Sequence, residues 1–148
     1  MEQVEIKERL SYLVARICHA HRNLVHSELS KLNLHVGQEM FLLHLWNEDG
    51  MTLSELAEEM CVQQATITRM ASRIENAGLI YRWKDTVDQR ISRVYLTEEG
   101  RSLFQPVAQM WAEVETIMLY TFTLEERVLL RRLLLQLYRN LTEQESGK

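Results

Sequence analysis

The chain has 148 residues, a length typical of one domain, and its hydrophobic fraction of 46% and charged fraction of 26% indicate a packed core beneath a solvated surface. These fractions exclude an intrinsically disordered chain, and five glycines with one proline argue against a turn-rich all-β fold. The net charge of −4 gives no support to a nucleic-acid partner, so the placement of the charges matters more than their sum.

Membrane and secretory segments are not predicted. The sequence has no run of about 18 apolar residues, and its start, MEQVEIKERL, lacks the pattern of a secretory signal. Two cysteines, Cys18 and Cys61, are too few for a disulfide framework. We therefore expect a cytoplasmic protein without a membrane partner.

Long amphipathic helices are predicted at both ends of the chain. Residues 5–32 carry apolar side chains at intervals of three and four, without an interrupting glycine or proline. The same pattern extends to about residue 142 behind a capping box formed by Thr123 and Glu126. Because a small domain cannot bury both apolar stripes, we expect these helices to pair in a homodimer.

Two short helices in the middle of the chain predict a helix-turn-helix. A helix over residues 36–46 precedes them. Thr52 and Glu55 then form a capping box for a short helix, and a tight turn leads into a second helix over residues 64–77. Gly78 suits the position that follows the end of this second helix.

A β-hairpin is predicted directly after the helix-turn-helix. Residues 79–84 and 91–96 largely alternate between apolar and polar side chains, and a polar loop joins them. Thr97 then caps a helix over residues 98–120, which Pro106 should kink or restart.

The predicted fold class is mainly α with a small β-hairpin wing (α+β). A winged helix-turn-helix lobe over residues 35–103 is flanked by dimerisation helices at residues 1–34 and 104–148, and all of them form a single domain. A dimer of this design would present two recognition helices to a two-fold symmetric DNA site.

The helix over residues 64–77 has the chemistry of a recognition helix. Its core face carries Ile67, Met70, Ala71 and Ile74, whereas the opposite face has small and basic residues and no acid, although a merely solvated face would use the same residue types. Arg69 is the candidate for a bidentate contact to guanine. The other candidate contacts to bases or phosphates are Gln63, Gln64, Ala65, Thr66, Thr68, Ser72 and Arg73.

The predicted hairpin is basic within an acidic chain, which favours contact with DNA phosphates. Its candidate contacts are Arg82, Lys84, Arg90 and Arg93. Arg90 lies near the tip, where it could enter a narrow minor groove, and Asp88 could hold its guanidinium in a bidentate pair. A salt bridge that only shapes the turn is the alternative for Asp88 and Arg90, and both interpretations can hold together.

These motifs together resemble the MarR family of winged helix-turn-helix regulators. The resemblance is carried by Leu53-Ser54-Glu55-Leu56-Ala57, Thr66-Ile67-Thr68-Arg69-Met70, Ile74-Glu75-Asn76-Ala77-Gly78-Leu79-Ile80, Asp85-x-x-Asp88-x-Arg90 and Leu96-Thr97-Glu98-Glu99-Gly100. It implies an obligate homodimer joined by its terminal helices. It also implies a repressor that binds double-stranded DNA at a pseudo-palindromic operator, with Arg90 in the minor groove and Asp88 as its partner.

The resemblance further implies release of the DNA by a small phenolic or lipophilic ligand or by oxidation of a cysteine. The family places its pocket between the dimerisation helices and the DNA-binding lobe. The candidate pocket residues are Tyr12, Arg16, His19, Met40, His44, Trp46 and Trp111, and the aromatic and methionine side chains among them would also suit plain core positions.

The cysteines and histidines provide weaker signals. Cys18 lies later in the chain than the reactive cysteine of the family's one-cysteine peroxide sensors, so we expect it to pack at the dimer interface, with redox regulation as the alternative. Cys61 is also expected to pack. The five histidines lack dense ligand spacing, so no metal site is predicted.

No catalytic constellation is visible, and we expect neither an enzyme nor a cofactor. The alternative function is a winged-helix protein-interaction module that does not bind DNA. Only the net charge of −4 favours that alternative.

Overall fold

The computed structural model describes residues 6–143, and the chain divides into two compact units, Met1–Trp111 and Ala112–Lys148. A short 3-10 turn at Ile6–Glu8 precedes the first α-helix. The helices are α1 (Leu10–Ser30), α2 (Gln38–Asn47), α3 (Leu53–Glu59), α4 (Gln64–Asn76), α5 (Glu98–Ser102), α6 (Phe104–Met118) and α7 (Leu124–Thr142), and the strands are β1 (Met51–Thr52), β2 (Ile80–Lys84) and β3 (Ser92–Leu96).

Both predicted capping boxes are confirmed. At the start of α3 the Thr52 hydroxyl accepts the Glu55 backbone N–H at 3.1 Å, and the Glu55 carboxylate accepts the Thr52 N–H at 2.7 Å. The equivalent bonds join Thr123 and Glu126 at the start of α7. Each box satisfies two backbone N–H groups that the first turn of a helix leaves without partners.

Two predicted helices begin later than the apolar pattern suggested. The first starts at Leu10 rather than residue 5, because Arg9 has extended backbone angles; residue 5 lies outside the described residues. The second starts at Gln38 rather than Val36, because Gly37 has a φ of +97°, which a right-handed helix cannot include. Gly37 offers no capping side chain, and its N–H donates to the buried carboxylate of Glu39 at 2.7 Å.

The predicted restart near Pro106 is confirmed. Helix α5 ends at Ser102 and α6 begins at Phe104, which places Pro106 in the first turn of α6. A proline is tolerated there because the first turn needs no intrahelical bond from its N–H groups. Thr97 caps α5 as predicted, since its hydroxyl accepts the Gly100 N–H at 3.1 Å.

The predicted hairpin is confirmed, but it belongs to a sheet of three strands. The antiparallel order is β1-β3-β2, with Met51 opposite Val94 in one pair and Arg82 opposite Val94 in the other. Strand β1 was not predicted because it has only two residues, and Thr52 is at once the end of the strand and the cap of α3.

The core of the first unit gathers apolar side chains from α1 to α4, the sheet and α6. Fully buried side chains include Leu29, Phe41, Leu42, Leu45, Leu56, Ile67, Ile74, Ile80 and Val94. The predicted core face of α4 is confirmed at Ile67, Ala71 and Ile74, whereas Met70 is half-buried. This packing fixes which face of α4 remains open to solvent.

The helix α7 of the second unit buries none of its residues within the single chain. Its exposed apolar side chains include Leu124, Val128, Leu133, Leu134, Tyr138 and Leu141. In the part of the chain that the structure describes, no helix is both long and apolar enough to span a bilayer.

Candidate nucleic-acid interface

The turn between α3 and α4 sets the direction of α4. Cys61 adopts a left-handed conformation with a φ of +52°, and the Val62 N–H bonds to the Ala57 carbonyl at 3.0 Å. The prediction that Cys61 packs is wrong for the single chain, where the residue is exposed at the corner of this turn.

The outer face of α4 is basic, as the sequence predicted. Gln63, at the N-cap, and Gln64, Ala65 and Arg69 are exposed. Arg69 and Arg73 line a cleft of about 200 Å³ beside Thr66 and His35, and no ion pair within residues 6–143 engages either guanidinium. Both groups are therefore available to an external anion or base edge.

Two of the three hydroxyl side chains on α4, those of Thr68 and Ser72, donate to the helix backbone. Thr68 donates to the Gln64 carbonyl at 2.8 Å, and Ser72 donates to the Thr68 carbonyl at 3.0 Å. Because each hydroxyl has only one hydrogen, these groups present oxygen lone pairs to an approaching ligand. In this arrangement they would accept hydrogen bonds from bases rather than donate them.

Arg82 of the wing is held by α4. Its Nε and one terminal nitrogen donate to the Glu75 carboxylate at 3.0 and 2.6 Å, and its backbone N–H donates to the other carboxylate oxygen at 3.2 Å. These hydrogen bonds lower the pKa of Glu75. The predicted phosphate contact of Arg82 stays a prediction, and the ion pair gives this side chain a structural role.

Arg93 is likewise engaged within the protein. Its Nε donates to Asp85 at 2.5 Å, and a terminal nitrogen donates to the Gly50 carbonyl at 2.9 Å. The hydrogen bond from Arg93, with those from the backbone of Asp88 and Val87, lowers the pKa of Asp85 from 3.8 to about 2. The contact of Arg93 with DNA also stays a prediction.

Arg90 differs from these two arginines in its exposure. Two of its guanidinium nitrogens bond to the two carboxylate oxygens of Asp88, each at 3.1 Å, yet the side chain is 91% exposed. The hydrogen bonds from Arg90 lower the pKa of Asp88. The bidentate Asp88–Arg90 pair that the sequence predicted is present, and it orients an arginine that still faces solvent.

The wing exposes the predicted contact Lys84 and two residues that were not predicted, Trp83 and Val87. Lys84 is exposed, with no ion pair in the described part of the chain, as befits a phosphate contact. Trp83 is 66% exposed on the same strand, and Val87 is exposed at the tip. Alternation along β2 could have identified Trp83, because its neighbours Arg82 and Lys84 belong to the opposite face of the strand.

The structure does not place all the predicted ligand-pocket residues together. The Trp46 indole donates to the Gly100 carbonyl at 2.9 Å and packs edge-on against Phe104, whereas Trp111 lies 5.9 Å from the His21 ring. On α1, Tyr12 is half-buried, and Arg16 and His19 are exposed. Of the two candidates on α2, Met40 is exposed and His44 is half-buried.

Sensing through a cysteine has limited structural support. Cys18 is exposed on α1, which is compatible with both a dimer interface and a redox role, and both stay predictions. Among residues 6–143, no three side chains of histidine, cysteine or acidic type are grouped so that they could hold a metal ion.

Comparisons with known proteins agree with this architecture. A model described as the MarR family matches residues 34–92. An organic hydroperoxide resistance transcriptional regulator of Bacillus subtilis (strain 168) is 36% identical over 75 residues, which are 51% of each chain. The HTH-type transcriptional regulator FarR of Neisseria gonorrhoeae is 30% identical over 101 residues, which are 68% of this chain and 69% of FarR.

A crystal structure of MarR matches with a TM-score of 0.82 at 26% identity, over 99% of this chain and 100% of that chain. The sequence alignments are shorter. The chain spans about half the length of two of the curated relatives that it matches.

Proposed function

The chain belongs to the MarR family, and on this premise we propose that it is a homodimeric, sequence-specific DNA-binding regulator of transcription. It acts as a repressor at a pseudo-palindromic operator, and a small phenolic or lipophilic ligand releases it. The observation that carries the proposal is the acid-free outer face of α4 together with a wing on which the Arg90 side chain is exposed to solvent.

The DNA-contacting side chains fall into two groups, one that contacts bases and one that contacts phosphates. Arg69 is the base reader of α4, since its free guanidinium can donate twice to guanine. Gln63 and Gln64 contact bases or phosphates at the start of the helix. Lys84 contacts the phosphate backbone, and Arg90 enters the flanking minor groove, where negative potential is concentrated.

Dimerisation is supported by the apolar surface of the terminal helices. On α1, Leu10, Leu13 and Ile17 are at least half exposed in the single chain. Leucines on α7 are similarly exposed, and such helices are unstable in water without a partner surface. A second copy of the chain provides that surface and places two recognition helices on one face of the DNA.

The ligand contacts side chains on α1 and α6. Trp111 contacts the His21 ring, and Arg16 and His19 supply exposed polar groups on α1. An aromatic wall with a nearby arginine suits a phenolic acid. The other candidate residues are Tyr12, Met40, His44 and Trp46.

Selection of binding sites from a random duplex library by the purified protein tests the proposal. We expect enrichment of a palindrome whose half-sites lie about one helical turn apart. With roughly four phosphates contacted per subunit, the logarithm of the binding constant should fall against the logarithm of salt with a slope of about −7. No enrichment at low salt would contradict DNA binding and favour a protein-interaction module.

A further inference from the structure

The geometry points to Glu75 and Arg82 as positioning residues that lock the recognition helix α4 and the wing strand β2 into one rigid DNA-reading unit. This inference rests on the proposed DNA-binding function and deepens it. Neither residue needs to touch DNA. Their task is to fix the distance and angle between the group that reads the major groove and the arginine that reaches the minor groove.

The contacts between the two residues define both position and orientation. Glu75 lies in the last turn of α4, and Arg82 is the third residue of β2. One carboxylate receives the backbone N–H of Arg82 and two side-chain N–H groups of the same residue. Because main chain and side chain bind the same carboxylate, β2 can neither slide nor rotate against α4 without breaking them.

The hydroxyl of Ser72 extends this connection along α4. It lies 3.4 Å from a terminal nitrogen of Arg82 and donates to the Thr68 carbonyl. Arg82 therefore approaches two successive turns of the helix. A shift of the wing would disturb the polar face of α4 at Ser72, which is a candidate base contact.

Hydrogen bonds at the short turn also attach the two elements at their base. The Leu79 N–H donates to the Ile74 carbonyl of α4 at 3.2 Å, and the Thr97 N–H donates to the Leu79 carbonyl at 3.1 Å. Gly78, with a φ of +78°, reverses the chain, and the Thr97 hydroxyl donates to the Gly78 carbonyl at 2.6 Å. That bond lies at the base of the wing. The Glu75–Arg82 pair is placed further along β2, where it resists a hinge motion about the turn.

Exposure and charge favour this role over direct contact with phosphate. The side chains of Arg82 and Glu75 are 30% and 32% exposed, and their opposite charges largely cancel at a distance. A phosphate would have to compete with a carboxylate that already binds two guanidinium nitrogens. Lys84 lies on the same strand, and the described part of the chain gives it no such partner.

The substitution Glu75→Gln distinguishes a positioning role of Glu75 from a pure charge effect, because the two change the affinity for DNA in opposite directions. Removing an acid from a DNA-binding lobe should strengthen binding if only charge matters. If Glu75 positions the wing, the substitution should raise the Kd for the duplex selected by the wild-type protein by about tenfold, as expected for loss of a coupled polar pair. The salt slope should stay at its wild-type value.

Two matched controls accompany this variant. Glu59→Gln removes an exposed acid from α3 and should leave the Kd equal or slightly lower. Lys84→Gln removes the free cation of β2 and should reduce the magnitude of the salt slope by about 0.9 for each subunit. Far-ultraviolet circular dichroism and thermal unfolding verify that each variant is folded.

Arg82→Lys provides the second test, in case Glu75→Gln fails to fold. Lysine keeps the charge but cannot reproduce the forked contact with Glu75. We expect binding about tenfold weaker with an unchanged salt slope. Wild-type affinity in Arg82→Lys, or wild-type or tighter affinity in Glu75→Gln, would overturn the inference. If the wild-type protein enriches no duplex, the proposed function itself fails, independently of either variant.

Discussion

At the residue scale, three arginines of the wing each have a carboxylate partner, and the solvent exposure of their side chains distinguishes their roles. Arg82 and Arg93 are about one-third exposed and hold elements of the protein together, whereas Arg90 is almost fully exposed although it is paired. A surface ion pair contributes little to stability, so the Asp88–Arg90 pair is better understood as an orienting device. The same residue type thus serves the fold at two positions and the proposed DNA contact at a third.

Replacing Arg90 with alanine should weaken operator binding by about 1–3 kcal/mol, because a guanidinium in a narrow minor groove is desolvated and strongly attracted. Stability should hardly change, given the exposure of the side chain. Fluorescence anisotropy titrations with the selected duplex measure the effect, with Arg101→Ala as a control in which a different arginine–carboxylate pair is removed. An unchanged Kd in Arg90→Ala would rule out the minor-groove assignment.

The stability of the wing should depend on pH through the ionisation of Asp85. Its pKa of about 2 in the folded protein lies below the ordinary 3.8, so its contribution to stability is complete above about pH 4 and is lost as the pH falls toward 2. The protection factors of the wing amides, which are hydrogen-exchange rates corrected for the intrinsic effect of pH, should therefore fall across that window. Asp85→Asn should show fast exchange at neutral pH, without a further step below pH 4; equal exchange in both proteins at neutral pH would argue against the role of Asp85.

At the element scale, local signals predicted the helices, and the beginnings of those that a capping box marks, but not the contacts between elements. The capping boxes at Thr52 and Thr123 involve residues three apart, so the sequence alone identifies them. The pairs Glu75–Arg82 and Asp85–Arg93 join residues seven and eight apart across different elements. Their formation depends on the register of the hairpin and the packing of α4, which no local pattern encodes.

Local patterns also limited the candidate DNA contacts to α4 and the hairpin. Periodicity separated the core face of α4 from its outer face, and the alternation of β2 and β3 located the wing. Which cations remain free could not be predicted, because that depends on whether a carboxylate lies within reach in three dimensions. The ligand pocket stays a prediction, since its candidate residues come from separate helices whose packing no local pattern encodes.

Close packing at Gly100 gives a prediction for the junction of α5 with the sheet. A Cβ atom at this position would lie 2.0 Å from the Leu79 carbonyl oxygen, which is backbone and cannot move aside cheaply. Gly100→Ala should lower the free energy of unfolding by about 3 kcal/mol.

Gly78→Ala is the matched comparison, because a Cβ there meets no atom within 4 Å and only the φ of +78° opposes it. Its cost should be about 1 kcal/mol. Urea unfolding of both variants measures the two values, and a larger loss for Gly78→Ala would contradict the packing at Gly100.

At the scale of the whole molecule, the exposed leucines of α7 lead to a prediction about assembly. Leu133→Glu places a charge among apolar side chains that we propose to be covered by a second copy. Analytical ultracentrifugation should then give a mass near the 17.5 kDa of one chain, against twice that mass for the wild type.

Gln136→Glu adds the same charge elsewhere on α7 and serves as the control for Leu133→Glu. The monomer should also lose most of its preference for a palindrome over random duplex, because only one recognition helix remains on each particle. A dimeric Leu133→Glu variant would show that another surface joins the subunits.

The exposed Trp83 makes the wing observable by spectroscopy. An indole that is 66% accessible to water emits at long wavelength and is open to collisional quenchers such as iodide, whereas Trp46 is held against Phe104 and Gly100. Lys84, the proposed phosphate contact, is the next residue of β2. The protein thus has an intrinsic fluorophore beside its proposed phosphate contact, and the occupancy of the wing can be followed in solution without attaching a dye.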